Sequence, residues 1–388
     1  MIPADLQKRE DRVRFLKDNI ISVVNRKVED TVARVSAREK SILLNNFEYE
    51  LGKVSLGSTP EGVGIGAHYS CNAKCVFCLG GKHRVFSLQR YKDFFEQKMG
   101  HVISRARYLN LCGFGELLLM PGIEEFIDYV NNRIPAVNKI YTTNGIALMN
   151  NEVLALLTKS ESAVEVSLHA SNSRLHKLLT RTDSFEQIRG QIRRLVSLRE
   201  KSGRPTVSLI FLINTLNIED LPDFVGLAAD LGVDEIICNY MTVFNHAHLK
   251  LSCFFKQEVT AATLYKAQEA ARRLNMPIRL PPIFGADIRE SKRRICSDPW
   301  KYFYVENEGS VLPCCFAGDH VGYLDGADFE TIWNGAYYRE LRDSLSKNQP
   351  NEWCKYCYKY DSNNVNDIRS HISSRPNFKD KLLKGFKI

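Results

Sequence analysis

Cys71, Cys75 and Cys78 stand in the run Cys71-Asn72-Ala73-Lys74-Cys75-Val76-Phe77-Cys78, spaced CxxxCxxC with an aromatic residue before the last. Thiolates so close together bind a soft metal centre, and both iron-sulfur clusters and zinc knuckles use them. A four-iron cluster takes one cysteine per iron, so a loop of three leaves one iron for a ligand that is not protein. In a catalytic cluster that ligand can be a substrate or cosubstrate. A second neighbourhood holds Cys296, Cys314, Cys315, Cys354 and Cys357, so eight of the eleven cysteines fall in two groups. Such grouping suits metal binding in a reducing compartment better than a disulfide framework.

Elements that would position these groups are legible around them. Six short apolar runs, Val63–Ala67, Tyr108–Cys112, Lys139–Thr142, Ala163–Leu168, Thr206–Ile213 and Glu235–Asn239, alternate with longer amphipathic segments. That alternation predicts parallel strands joined by crossover helices, with a site at the carboxyl ends of the strands. Apolar positions at Val13, Leu16, Ile20, Val24, Val28 and Val35 predict an amphipathic helix or two from Lys8 to Val35. The breaker cluster Leu56–Gly62 leads into the barrel. Alternation around Glu308-Gly309 predicts a hairpin that brings Cys296 and Cys314 together, and a helix is expected through Tyr337–Leu345 before the CxxC of Cys354 and Cys357. Four thiolates there would hold zinc or an iron-sulfur cluster, with Cys315 either replacing Cys314 or filling space as a small hydrophobe.

Composition bounds the rest. Hydrophobic residues make up 44% and charged residues 25% of 388, with a formal charge of +8, as in ordinary globular chains. No apolar run is long enough to span a bilayer and the start lacks a signal-peptide core, so a cytoplasmic protein is expected. The positive charge is spread without a dense basic stripe, which argues against nucleic acid and membrane partners, and the basic tail reads as a solvated segment.

The CxxxCxxC loop with Phe77, followed by Gly113-Phe114-Gly115-Glu116, Thr143-Asn144-Gly145 and Val164-Glu165-Val166-Ser167, resembles the radical S-adenosylmethionine (SAM) superfamily. The carboxy-terminal phrases Cys296-Ser297-Asp298-Pro299-Trp300, Gly309-Ser310-Val311-Leu312-Pro313-Cys314-Cys315 and Ile332-Trp333-Asn334 resemble its SPASM extension, and especially the shortened twitch form. The resemblance implies an α/β fold, a partial (β/α)6 TIM-like barrel over residues 61–285. It is flanked by an amino-terminal helical extension over 1–60, a small hairpin and helix Fe-S domain over 286–362 and a basic tail over 363–388. Implied cofactors are SAM and two 4Fe-4S clusters, one on Cys71, Cys75 and Cys78 and an auxiliary one on Cys296, Cys314, Cys354 and Cys357. SAM contacts are expected from Phe77, Gly113, Gly115, Glu116, Thr143, Asn144, Ser167, Arg181 and Asn214. Leu117 stands where many relatives have proline. Arg181 could equally be a helix-end arginine, Asn214 a cap, and His169 a substrate contact or core histidine, while Asn217 reads as the cap of the next helix.

Implied chemistry is reductive cleavage of SAM to a 5'-deoxyadenosyl radical that abstracts a substrate hydrogen. The expected outcome is oxidation of a small polar molecule, a sugar or cyclitol, with the auxiliary cluster as electron acceptor and a flavodoxin or ferredoxin as reductant. Alternatives are a peptide maturase forming a thioether or carbon-carbon crosslink, and an epimerase in which Cys238 returns the hydrogen atom unless it is only a buried strand cysteine. His246, His248 and Arg279 are unranked candidates for substrate contacts or bases. A bare electron carrier or zinc module would not need the SAM strand-end motifs.

Overall fold

The computed structural model describes residues 35–66, 70–79, 88–113, 115–159, 161–286, 296–306, 309–314 and 320–373, with the isolated positions 11 and 13. The expected helix over Lys8–Val35 therefore lies almost wholly outside the described residues, as do Phe114 and Cys315.

Ten strands form one sheet in the order β10-β9-β8-β1-β2-β3-β4-β5-β6-β7. The first six are β1 (Gly62–Gly66), β2 (Tyr108–Cys112), β3 (Asn138–Thr143), β4 (Ser162–Ser167), β5 (Thr206–Ile213) and β6 (Glu235–Tyr240), all parallel, and they match the six sequence runs to within a residue or so. Helices Ile123–Arg133, Phe185–Ser202, Leu221–Leu231 and Gln257–Arg273 lie between strands, as crossover connections require. A two-residue β7 (Ile278–Arg279) extends the sheet beyond β6.

Side-chain alternation sorts the two faces. Phe211 of β5 packs its ring on Phe224 of the helix Leu221–Leu231, with centroids 4.8 Å apart, so that face meets the helices. Ile210 and Leu212 take the other face and line an open cavity. In β1 the close approach of tyrosines demands glycine: a Cβ on Gly64 would lie 2.1 Å from the Tyr302 hydroxyl, and one on Gly62 2.1 Å from the Tyr108 ring.

The carboxy-terminal hairpin is not a separate sheet. β8 (Tyr302–Val305) pairs in parallel with β1, and β9 (Ser310–Leu312) turns back on β8, followed by β10 (Gly322–Tyr323). Here the cysteine-rich segment begun at 286 continues the barrel's own sheet from its first strand. The helix expected through Tyr337–Leu345 spans Ala336–Ser346.

Aromatic motif residues of this segment grip the lead-in to β1. Trp300 Nε1 donates to Lys53 O (2.7 Å), Trp333 Nε1 to Ser58 O (3.1 Å) and Asn334 Nδ2 to Leu56 O (2.9 Å), while Asn334 Oδ1 accepts from Leu56 N (2.8 Å). Fully buried Arg342 donates to Pro299 O and Val54 O and lies over the Trp333 ring, 4.4 Å from its centroid. From the other side Glu48, on the helix Ala37–Glu50, accepts from Gly57 N and from Ser58 N and Oγ.

The tail differs from the solvated segment expected from 363 onward. Val365, Ile368 and Ile372 are buried, and Val243 and Ile372 form a parallel bridge in which Val243 N donates to His371 O and Ser373 N to Val243 O. His371 stacks on Phe284 at 5.5 Å. Enough apolar side chains are interspersed among the polar ones for residues 363–373 to pack; 374–388 lie outside the described residues. No helix among the described residues is long and apolar enough to cross a membrane.

Candidate active site and auxiliary centre

The cysteine loop leaves β1 and is held by the helix Ser173–Thr180, whose last carbonyls accept from it: Lys74 N from Thr180 O at 2.9 Å and Val76 N from Leu179 O at 2.9 Å. Cys71, Cys75 and Cys78 line one open cavity of about 580 Å³ with Phe77, Gly113, Gly115, Glu116, Thr143, Asn144, Ser167 and His169. Seven of the nine expected SAM contacts thus converge with the three cysteines.

Glu116 is the fastener of this wall. Only 1% exposed, its Oε1 accepts from Thr143 Oγ1 (2.7 Å) and Leu118 N (3.2 Å), and its Oε2 from Asn144 N (2.6 Å). Burial raises its pKa, and the three donors pull the other way. Gly145 follows at φ +82°, where a Cβ would meet Ile188 and Val166 at 2.8 and 2.9 Å, so the turn after Asn144 requires glycine. Asn144 Nδ2 then reaches Asn72 Oδ1 (2.6 Å) and the Cys71 sulfur (3.6 Å). Strand ends β2 and β3 and the cysteine loop are therefore one hydrogen-bonded unit.

Ser167 projects into the cavity as alternation along β4 requires. His169 is 5% exposed, stands edge-on to Phe77 with centroids 5.1 Å apart, and accepts from Leu212 N at Nδ1 (3.1 Å). Burial, with the neighbouring His176, pushes its pKa down to about 3, so it is a neutral imidazole with its proton on Nε2. It is both packed and part of the cavity wall.

Other expectations fare differently. Asn214 is fully buried and spent locally, donating to Leu212 O and accepting from Leu216 N, and it does not line the cavity. Asn217 makes no side-chain cap; its amide donates to His169 O and Leu212 O, tying the ends of β4 and β5. Arg181 is exposed at the left-handed end of the helix Ser173–Thr180, next to the carbonyls that hold the cysteine loop but outside the cavity lining. Cys238 is turned away from the cavity: it pairs with Phe211 on the helix-facing side and is 3% exposed. His248 is buried and His246 exposed, both outside the cavity lining.

The second cysteine group gathers around a much smaller space. Cys296, Cys314, Cys354 and Cys357 line one cavity of about 60 Å³, walled by Pro299, Tyr337, Leu341, Trp353 and Tyr356. Its lining shares no residue with the first cavity.

Both donor sets fit iron. Burial pushes the Cys75 and Cys354 thiols up to about 12 and raises Cys71, Cys296 and Cys357, so these thiols become thiolates only when a metal supplies the positive charge. Among the described residues no three His, Cys, Asp or Glu side chains converge on a single-ion site. The helix Ala37–Glu50 lies within the helical extension expected over 1–60, and its start is marked by Ser36 and Glu39, which form a capping box and make both of its bonds.

Residues 68–228 match the model of the radical SAM superfamily, and residues 296–358 match SPASM, an iron-sulfur cluster-binding domain. A GTP 3',8-cyclase of Alkaliphilus oremlandii is 26% identical over 66% of this chain and 81% of its own length. Another from Chlorobaculum tepidum is 28% identical over 45% of this chain, a match spanning only 52% of that relative. Among solved structures, Streptococcus suis SuiB bound to precursor peptide SuiA has a TM-score of 0.61 over 85% of this chain and 79% of that chain, at 15% identity. At that identity the likeness concerns the fold.

Proposed function

This chain is a radical SAM enzyme with a carboxy-terminal SPASM-type iron-sulfur domain, and on that premise we propose that it carries out the two-electron oxidation of a small polar molecule, sugar- or cyclitol-like. The observation that carries this reading is the contrast between a roomy cavity of about 580 Å³ behind three cysteines and one of only about 60 Å³ among four. A centre saturated by four cysteines offers no place to a substrate, which leaves it the passage of electrons. When bound, the open cluster with SAM supplies the radical that takes one hydrogen atom, and the auxiliary cluster supplies the acceptor for the second electron.

The chain's own residues do the rest. Cys71, Cys75 and Cys78 would hold the first cluster, and Gly113, Gly115, Glu116, Thr143, Asn144 and Ser167 would wall the SAM site beside Phe77. Cys296, Cys314, Cys354 and Cys357 would hold the second. His169, neutral and buried, keeps the wall free of a positive charge. A flavodoxin- or ferredoxin-type protein is the proposed reductant.

Ring closure on a purine nucleotide is the second reading, favoured by the names of the sequence relatives. Anaerobic reconstitution followed by incubation with SAM and dithionite should give about eight irons per chain. It should also release 5'-deoxyadenosine. Zinc in place of iron, or no cleavage, overturns the reading. Product analysis with GTP, with neutral and amine-bearing polyols and with peptides separates oxidation from cyclisation and crosslinking.

A further inference from the structure

The loop after β6 takes its shape from the carboxy-terminal tail. It runs from Met241 to Asn245, between β6 and the short helix His246–Leu249. Val243, at its centre, is fully buried, and both of its backbone polar groups are paired with the tail. Its N–H donates to His371 O at 2.8 Å, and its carbonyl accepts from Ser373 N at 2.9 Å. Buried backbone groups need partners, so this stretch would change its path if the tail let go. The tail is itself anchored. Ile368 and Ile372 pack with Val243 and Leu249, while His371 Nε2 donates to Val365 O at 2.8 Å and the ring lies 5.3 Å from that of Tyr240 at the end of β6. These residues stand beyond the match to the cluster-binding domain, which ends at 358.

Phe244, the next residue, lines the open cavity. The other described residues of the lining come from the cysteine loop and from β2 to β5 with the loops at their ends, so Phe244 alone among them reaches in from beyond β5. On its far side Asn245 caps the helix His246–Leu249, its Oδ1 accepting from His248 N at 3.0 Å. The His248 ring stands edge-on to the Phe244 ring with centroids 6.3 Å apart. Bridge, cap and ring contact together fix where the Phe244 ring stands.

We infer that residues 365–373 are a strap that positions Phe244 as an apolar wall of the SAM site, so that the tail contributes to cosubstrate affinity without touching the cosubstrate. The inference rests on the reading that the open cavity holds SAM. Phe244 meets the ligand, and Ile372 and Ser373 act through Val243 as positioning residues. The ring offers apolar contact to the base of SAM, and holding it in place beforehand spares the cost of ordering it on binding. Such coupling is reciprocal: a docked strap that strengthens SAM binding is itself favoured by bound SAM.

SAM binding to the reconstituted full chain, followed by anaerobic calorimetry, tests the strap. Phe244→Ala should weaken binding about tenfold. Ser373→Pro removes the N–H that donates to Val243 O and should weaken it about fivefold, and Ile372→Ala, which loosens the packing on Val243, should act in the same direction. In a Phe244→Ala background neither change should weaken binding by more than about twofold, because the ring through which the strap acts is gone. Hydrogen exchange at Val243 and Ser373 should slow when SAM is added to the unaltered chain, a response that packing alone would not give. Iron content and melting temperature report whether each variant is folded and loaded; if Ser373→Pro fails there, Ile372→Ala carries the test. Unchanged affinity in the folded strap variants, losses that multiply in the double variants, or exchange at the strap that ignores SAM overturns the inference. Affinity lost in Phe244→Ala alone would keep the SAM site and strike the strap, whereas an unaltered chain that binds no SAM would sink the site reading itself.

Discussion

Cys71 and Cys78 are exposed on a loop that opens on about 580 Å³, whereas Cys296, Cys314, Cys354 and Cys357 are partly covered by proline, tyrosine and tryptophan around about 60 Å³. The ligand atom is the same in both places, and burial raises the thiol pKa of Cys75 in one and of Cys354 in the other. What differs is access. The first set is positioned by backbone hydrogen bonds from a helix end and by Asn144, and has room for a cosubstrate. The second is held by packing and by its own turn, in which Cys354 N donates to Asn351 Oδ1 and Cys357 N to Cys354 O, and lines far less space. Exposure of the donor set, more than donor type, separates a centre that meets substrate from one that passes electrons.

Four experiments sharpen or break this comparison. The largest effect is expected from the cysteines themselves: Cys75→Ala should reduce 5'-deoxyadenosine formation to background, whereas Cys354→Ala should retain it and lose oxidised product, each with about four irons instead of about eight. Equal loss of SAM cleavage in both variants would mean that the two centres are not independent. Next comes the clamp on the lead-in segment. Arg342→Met leaves the carbonyls of Pro299 and Val54 without donors and should lower unfolding free energy by about 3 kcal/mol in a denaturant titration. A smaller change would show that the aromatic packing alone holds the segment.

Acid should act more gently and on the open site. With His169 held at about 3 in the folded chain and near 6.5 when unfolded, the unfolded state takes up the proton first as pH falls. Stability is then level above about pH 6.5 and declines below it by at most about 1.4 kcal/mol per unit until His169 itself titrates. His169→Gln should flatten that slope in melts between pH 7 and 5. The smallest effect belongs to Cys238→Ala. Removing a buried sulfur on the helix-facing side should cost about 1 kcal/mol and leave the stereochemistry of the product unchanged. An altered stereochemical outcome would return Cys238 to the chemistry despite its direction.

Strands and cysteine sets were readable because their signals are local. Alternation of side chains reports a strand within a few residues, and a CxxxCxxC or CxxC run needs no distant partner to be recognised. Contacts that join remote segments left no such trace. Trp333 and Asn334 look like motif residues of a cysteine domain, yet their bonds go to Ser58 and Leu56, some 275 and 278 positions away. Asn214 and Asn217 share a strand end and a residue type, and only the folded turn decides that both are consumed by backbone groups. The helix Ala37–Glu50 falls in the expected amino-terminal helical extension, and its boundary is local information carried by Ser36 and Glu39. The packed residues 363–373 carry their apolar positions among so many polar ones that composition pointed to solvent.

Parallel pairing of β1 with β8 has a consequence for how the chain comes off the ribosome. Gly62 lies beside Tyr302, so one edge of β1 waits for a partner made about 240 residues later. At the usual elongation rate that is a delay of roughly ten seconds or more. During it the barrel's first strand presents open backbone donors and acceptors, and Tyr302 and Tyr304, which cover Gly64 and Gly66, are not yet synthesised. Nascent chains of this protein should therefore depend on chaperones until the last third emerges, and truncations that end after the barrel should aggregate rather than yield a smaller working enzyme.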